Sequence, residues 1–320
     1  MRVSAAVVTY NRGALLVECL RALLAQTRPV GRVVVVDNAS TDGTEALLER
    51  EGLLAEPRIA FERSEENLGS SGGFARAIAR AREDCDWLWV MDDDAEPRPD
   101  ALERLLASPW AEDPGTAVLC QKVVNPDGSL QLGARGHLEG GVRHFSAGDY
   151  VDGAECGYST FVGMLVRGEV ARATDPPKPE FFIWCDDYEW CVRLRRGGAL
   201  RLVTGSEIVH KDAGHGFTTR RMRIVNRLTG WNYGATPYSG FWRNLCGIRN
   251  YVWLRKHHMH EGPLAATWTV AQFMVKALLY DEKPLRRMPW IVKAGLDGRL
   301  GVFCTITPRE WAARLQDGRA

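Results

Sequence analysis

Two hydrophobic periods alternate over the first hundred residues. Val3 to Thr9 is an apolar run of strand length, interrupted by the loop Tyr10-Asn11-Arg12-Gly13. Leu15, Leu16, Cys19, Leu20, Leu23 and Leu24 then recur at helical spacing. Arg32 to Val36 reads as a second buried strand. It ends in Asp37-Asn38-Ala39-Ser40-Thr41-Asp42-Gly43, where Ser40 or Thr41 is placed to cap a helix from Thr44. Ile59 to Phe61 is a short third strand, and Asn67-Leu68-Gly69-Ser70-Ser71-Gly72-Gly73 leads into a helix from Phe74 to Arg82. Trp87 to Met91 is a fourth strand, closed by turn chemistry at Pro97 and Pro99. This alternation predicts an α/β fold, a Rossmann-like doubly wound and mostly parallel sheet with helices on both faces. Right-handed crossovers then gather the loops that follow the strands along one edge of it.

The pattern changes beyond residue 120. Gln121 to Val166 is rich in glycine and short apolar runs, which predicts β structure with a strand over Gly157 to Val166. Phe181-Phe182-Ile183-Trp184 precedes Asp186, Asp187 and Glu189, which open a helix running through Leu194. Arg201 to Val209 reads as a short strand ending at His210. The tail reads as helices, with Leu264 to Leu279 carrying Trp268, Phe273 and Met274.

Composition changes this picture at one point. The 320 residues are 45% hydrophobic and 25% charged, ordinary values for a globular chain, with a net charge of +1. That balance conceals an asymmetry. Phe217 to Ala320 holds 17 Lys and Arg against 6 Asp and Glu, a net of +11, while the remainder carries −10. Two regions of opposite charge imply two tasks, divided near Gly214-His215-Gly216: residues 1–216 and residues 217–320. Basic residues mixed with Trp and Met, as at Arg286-Arg287-Met288-Pro289-Trp290, suit an anionic lipid surface, the acidic N-terminal part, or another subunit. No nucleic-acid recognition module accompanies them. Eight cysteines are scattered without a CxxC pair, and the N-terminus lacks a secretory pattern, so a cytoplasmic location with reduced thiols is expected. No stretch of about 18 apolar residues predicts a membrane crossing.

The densest chemistry lies at Asp92-Asp93-Asp94, behind the fourth strand. Adjacent carboxylates ~4 Å apart at an effective dielectric of ~20 repel by roughly 4 kcal/mol. A divalent cation of the Mg²⁺ or Mn²⁺ kind removes that repulsion, and strand ends in open α/β sheets are where ligands bind. The same triplet also fits a solvated acidic loop. Asp37 and Asn38 suit a base or ribose. The Asn67 to Gly73 segment offers helix N–H groups to phosphate, although Gly-Ser-Ser-Gly-Gly matches neither GxGxxG nor a Walker loop. Taken alone, His210 reads as a satisfied histidine at a strand end.

Together these residues carry a resemblance. Val7-Val8-Thr9-Tyr10-Asn11-Arg12, Val35-Val36-Asp37-Asn38-Ala39-Ser40-Thr41-Asp42-Gly43-Thr44 and the aspartate triplet resemble family-two inverting glycosyltransferases of the GT-A fold. The wording Asn67 to Arg76 is similar to the galactofuranosyltransferase and rhamnosyltransferase branch. The likeness continues through Trp184-Cys185-Asp186-Asp187-Tyr188-Glu189, Val209-His210-Lys211-Asp212, Trp242-Arg243-Asn244 and Arg249-Asn250-Tyr251.

The resemblance implies a GT-A sheet with a helical C-terminal extension, and a nucleotide-sugar donor held by Mn²⁺ or Mg²⁺. Inversion would follow one direct displacement by a hydroxyl of a glycan or lipid-linked acceptor. It implies Asp92, Asp94 and His210 as metal ligands and Asp187 as general base. Asp186, Trp184 and Glu189 would face the acceptor. Thr9, Asn11, Arg12, Asp37, Asn38, Asn67, Gly72, Gly73, Arg76, Asp92 and Asp93 would face the donor. UDP-galactofuranose is the expected donor, with dTDP-rhamnose as the alternative. A sugar nucleotidyltransferase and a catalytically silent scaffold are the rival functions. The former would normally need a glycine-rich N-terminal loop with Arg and Lys, which Thr9 to Gly13 does not supply.

Overall fold

The four apolar runs are strands β1 (Val3–Thr9), β2 (Arg32–Asp37), β3 (Ile59–Arg63) and β4 (Trp87–Asp92) in a computed structural model. It describes residues 1–211, 220–229, 234–303 and 306–316. Asp212, the boundary expected near Gly216, and Cys304 lie outside the described residues. Helices α1 (Gly13–Leu24), α2 (Thr44–Arg50) and α3 (Gly69–Ala81) alternate with these strands. There follow β5 (Ala95–Pro97), α4 (Ala101–Leu106), α5 (Pro109–Glu112) and β6 (Thr116–Val124). Next come β7 (Arg135–His137), β8 (Arg143–His144), β9 (Glu155–Cys156), β10 (Tyr158–Ser159) and β11 (Met164–Arg167). Helices α6 (Gly168–Ala173) and α7 (Asp186–Leu194) precede β12 (Ala199–His210).

Packing divides the chain into two units, Met1–Pro179 with Asp186–Ala213, and Glu180–Cys185 with Gly214–Ala320. In the first, the main sheet has the order β3-β2-β1-β4-β11-β6-β12-β5, with β9 beside β12. Strands β1 to β4 are parallel to one another, and β6 is parallel to β12, while β11 runs antiparallel to β4 and β6, and β5 antiparallel to β12. A second small sheet has the order β10-β7-β8. This is the expected mostly parallel α/β architecture.

The pleat explains why β1 is buried along its whole length. Val3, Ala5 and Val7 pack with Leu16, Leu20 and Leu23 of α1, whereas Val8 on the opposite face meets α3. Burial on both faces is what a continuous hydrophobic run requires. Trp87 and Trp89 of β4 are buried in the same core. Each fully buried large apolar side chain contributes roughly 1.5–3 kcal/mol.

Three expected elements differ. Helix α3 starts at Gly69 rather than Phe74, because Asn67 Oδ1 accepts from the Gly69 N–H at 2.8 Å and starts the turn early. Neither Ser40 nor Thr41 caps α2. The Asp42 carboxylate accepts from the Thr44 N–H at 3.1 Å, with Gly43 at φ 82° between them. The strand expected over Gly157 to Val166 is split into β10 and β11.

The second unit contains α8 (Arg220–Thr229), α9 (Phe241–His258), α10 (Pro263–Tyr280), α11 (Pro284–Leu300) and α12 (Pro308–Gln316). Phe241, Trp242, Leu245, Ile248, Ile291 and Trp311 form its core with Phe182. Three non-glycine residues, Phe182, Trp184 and Cys185, have φ between 63° and 68°. This costly backbone is held by Asn250, whose Nδ2 lies 2.9–3.0 Å from the carbonyls of Phe181, Ile183 and Trp184.

Candidate active site

The parallel strands end where the polar residues begin. Thr9, Asp37, Asp92 and His210 are the last residues of β1, β2, β4 and β12. The turn after β4 returns as β5, which pairs antiparallel with β12 so that His210 lies opposite Ala95. That register sets His210 Nε2 3.1 Å from Asp94 Oδ1, and the Lys211 N–H donates to the Asp94 carbonyl at 2.9 Å. Asp92, Asp94 and His210 each offer a ligand atom within 4.8 Å of the others.

The surroundings of this cluster are those of a cation site. The second imidazole nitrogen, Nδ1, is 2.8 Å from Gln131 Oε1, which fixes the ring. Asp94 Oδ1 is buried without a well-aligned hydrogen bond, an arrangement a cation would satisfy. Carboxylate oxygens with one imidazole suit Mn²⁺ or Mg²⁺ better than a soft metal. Beside His210, Arg12 also balances the charge of Asp94, its Nη1 lying 2.5 Å from Asp94 Oδ2.

Electrostatics separates the three aspartates. Burial, then the neighbouring Asp94, raises the Asp92 pKa to about 7. Burial raises Asp93 to about 6, against the hydrogen bond that its Oδ2 accepts from Thr9 Oγ1 at 2.6 Å. Burial also works against the charge on Asp94. His210 and Arg12 outweigh it and hold that carboxyl below the usual range. The same pairing raises His210, although burial acts in the opposite sense.

Asp186 and Asp187 start α7, so their burial is set by the packing of that helix. Asp186 is 4% exposed and accepts from Ser70 Oγ at 3.2 Å. Asp187 is half-buried, and no cationic side chain pairs with it among the described residues. Burial first, then the charges of Asp186 and Asp92, push its pKa well above that of a free carboxylate. The last of these influences joins the two acidic clusters in one field.

Other expected residues are placed as follows. Asp37 is fully buried, accepting from the Ser40 N–H at 2.9 Å and from Arg63 Nη1 at 2.8 Å. Asn38 donates to the Gly69 carbonyl at 2.9 Å, while its Oδ1 is buried without a hydrogen-bond partner among the described residues. Asn11 takes φ 56° and accepts from the Thr41 N–H at 2.6 Å, tying the loops after β1 and β2 together. Gly72 and Gly73 lie inside α3 rather than in a phosphate loop. A Cβ on Gly73 would stand 2.6 Å from Val8 Cγ1, and one on Gly72 would stand 2.8 Å from Leu68 Cβ. Their missing side chains therefore serve helix packing. Arg76 pairs with Glu62 at 2.6 Å.

Glu189 is fully buried and held by Arg193 through both oxygens, at 2.8 and 2.6 Å. It faces the interior rather than an acceptor. Trp184 is 44% exposed and belongs to the second unit. Three supporting residues escaped the sequence reading: Gln131, Ser70 and Arg63. Each acts across 26 to 116 positions, and only the i,i+4 pair of Glu189 and Arg193 left a local signal.

Comparison with known proteins gives the family. A family model described as glycosyl transferase family 2 matches residues 4–172. The galactofuranosyltransferase GlfT1 of Mycobacterium tuberculosis is 33% identical over 207 residues, 61% of this chain, and the match spans 65% of that relative's length. The N-acetylglucosaminyl-diphospho-decaprenol L-rhamnosyltransferase of the same species is 27% identical over 293 residues, 80% of this chain and 92% of its own. Among solved structures, GalNAc-T7 with UDP, GalNAc and Mn²⁺ superposes with a TM-score of 0.54 at 16% identity, over 72% of this chain and 48% of that one. The family model covers more than half of the sequence, and the protein is accordingly a glycosyltransferase of family 2, built on the GT-A fold.

Proposed function

We propose that the protein transfers a sugar, with inversion, from a nucleotide-sugar donor to a hydroxyl of a glycan or lipid-linked acceptor, in a reaction that needs Mn²⁺ or Mg²⁺. The observation that carries this reading is the Asp92–Asp94–His210 cluster, whose Asp92 acts on the Asp187 carboxyl, a group that no cationic side chain pairs among the described residues. Asp92, Asp94 and His210 would hold the ion. When bound, it supplies positive charge opposite the departing diphosphate.

The remaining roles belong to the chain. Asp37, steadied by Arg63, and Asn38, with a buried free oxygen, suit recognition of the nucleoside. Thr9, Asn11 and Arg12 order the loop after β1, and Asp93 lies against Thr9 on the donor side. Asp187 takes the proton of the attacking hydroxyl. Its raised pKa makes it a stronger base than a free carboxylate, which favours that transfer. Asp186 and the exposed Trp184 are assigned to the acceptor, Trp184 as a stacking face for sugar.

UDP-galactofuranose is the donor we favour, on the 33% identity to the galactofuranosyltransferase. The rhamnosyltransferase relative, matched over 92% of its length, supports dTDP-rhamnose as the second reading. We assign the first unit to catalysis and the basic second unit to contact with a membrane at its cytoplasmic face. Incubation with each donor, acceptor and Mn²⁺ tests the reading. Nucleoside diphosphate should be released, and a chelator should stop it. Pyrophosphate release would instead mark a nucleotidyltransferase, and no turnover with any donor a scaffold.

A further inference from the structure

Helix α10 contains one charged residue, Lys276, and yet turns a face to solvent. Leu264, Trp268, Val275 and Leu278 are 85, 63, 41 and 48% exposed. At 100° per residue they fall within an arc of about 80°. Helix α11 repeats the arrangement. Leu285, Val292, Leu296 and Leu300 are 77, 41, 55 and 73% exposed and occupy an arc of about 80°.

The two helices pack against each other where Gly295 approaches Val270, and Gly298 lets α11 approach the α9 backbone at Arg249. The inner sides are therefore committed, and the leucine stripes are left outside. Cations flank them. Arg286 is exposed on α11, as is Lys293, which also pairs with Asp297 at 2.6 Å. Arg223 and Arg227 accompany exposed Ile224 and Leu228 on α8, which reaches α10 through Asn226 and Tyr280.

We propose that the α10–α11 hairpin is a docking face for the surface of an anionic phospholipid bilayer, with its leucine stripes and Trp268 at the acyl boundary and the cations among headgroup phosphates. The proposal deepens the membrane contact assigned to the second unit and depends on nothing in the donor site. Monomeric soluble proteins rarely expose contiguous apolar patches of this kind. Helices with an apolar stripe bordered by Arg and Lys lie in the interfacial plane. No helix among the described residues is long and apolar enough to cross the bilayer, so the contact is superficial. Charge decides against a second copy of the same face, because an isologous pair would bring together two regions of net +11.

Co-sedimentation of the full chain with vesicles tests this directly. Binding should be strong to equal parts phosphatidylcholine and phosphatidylglycerol, weak to phosphatidylcholine alone, and reduced by salt. Trp268→Asp with Leu296→Asp should lower the partition coefficient at least tenfold, with sugar transfer to a soluble acceptor, read as nucleoside diphosphate release, unchanged. Leu285→Asp, at a more exposed position, provides a second variant should the first misfold. The proposal is overturned if both variants sediment like the wild type. It is equally overturned if the wild type ignores anionic vesicles, or if it is a dimer that the substitutions convert to monomer.

Discussion

The two acidic clusters of the first unit begin alike and end differently. Both place three acidic residues within four positions, and both are buried by the element that carries them. At the start of α7, Glu189 meets Arg193 and is structural, whereas Asp187, two residues earlier, meets no cation among the described residues. After β4, Asp94 is balanced by Arg12 and His210, whereas Asp92 keeps a pKa near 7. A buried carboxylate with a good partner stabilises its surroundings. One without a partner is held by the fold at a cost, which is the condition expected of a group reserved for a ligand or a proton.

That contrast can be broken residue by residue. Asp187→Asn keeps shape and removes the base, so kcat should fall by roughly 10²–10⁴ while donor binding with Mn²⁺ survives. Unchanged turnover would remove Asp187 from the mechanism. Glu189→Ala should act on stability instead. It leaves the half-buried Arg193 guanidinium without its carboxylate and should cost about 1–3 kcal/mol, read as a lower urea midpoint.

A smaller effect follows for Asp187 in the absence of ligand. Its folded-state pKa is raised, so the folded form binds its proton more tightly than the unfolded chain does. The favourable contribution is complete below about pH 4 and is lost as pH rises through the folded-state value. Asp187→Asn should therefore melt higher than the wild type at neutral pH, and the gap should close in acid. A variant that melts lower at neutral pH would contradict the claim that this carboxylate is unbalanced.

Much of this was readable in advance, and the exceptions have a common cause. Strands β1 to β4 were visible because parallel strands buried on both faces are continuous apolar runs, and each ends in a polar loop. The triplet Asp92 to Asp94 and the pair Asp186–Asp187 stood out for the same reason. Long-range pairing was invisible. Nothing in the sequence sets β5 antiparallel to β12, and that register is what brings His210 to Asp94. Gln131 reaches His210 from 79 positions away. Gly72 and Gly73 looked like a phosphate loop because the early start of α3 depends on one Asn67 hydrogen bond. Glu189 could have been excluded as an acceptor residue, since Arg193 stands at the i+4 position where the two side chains meet.

Titration with Mn²⁺, followed by the free-ion electron paramagnetic resonance signal in the presence of UDP, bears on the cation cluster without requiring turnover. The account predicts one bound ion per wild-type chain, an affinity at least tenfold weaker in Asp94→Ala, and little change in Asp187→Asn. Equal binding by the wild type and Asp94→Ala would contradict it.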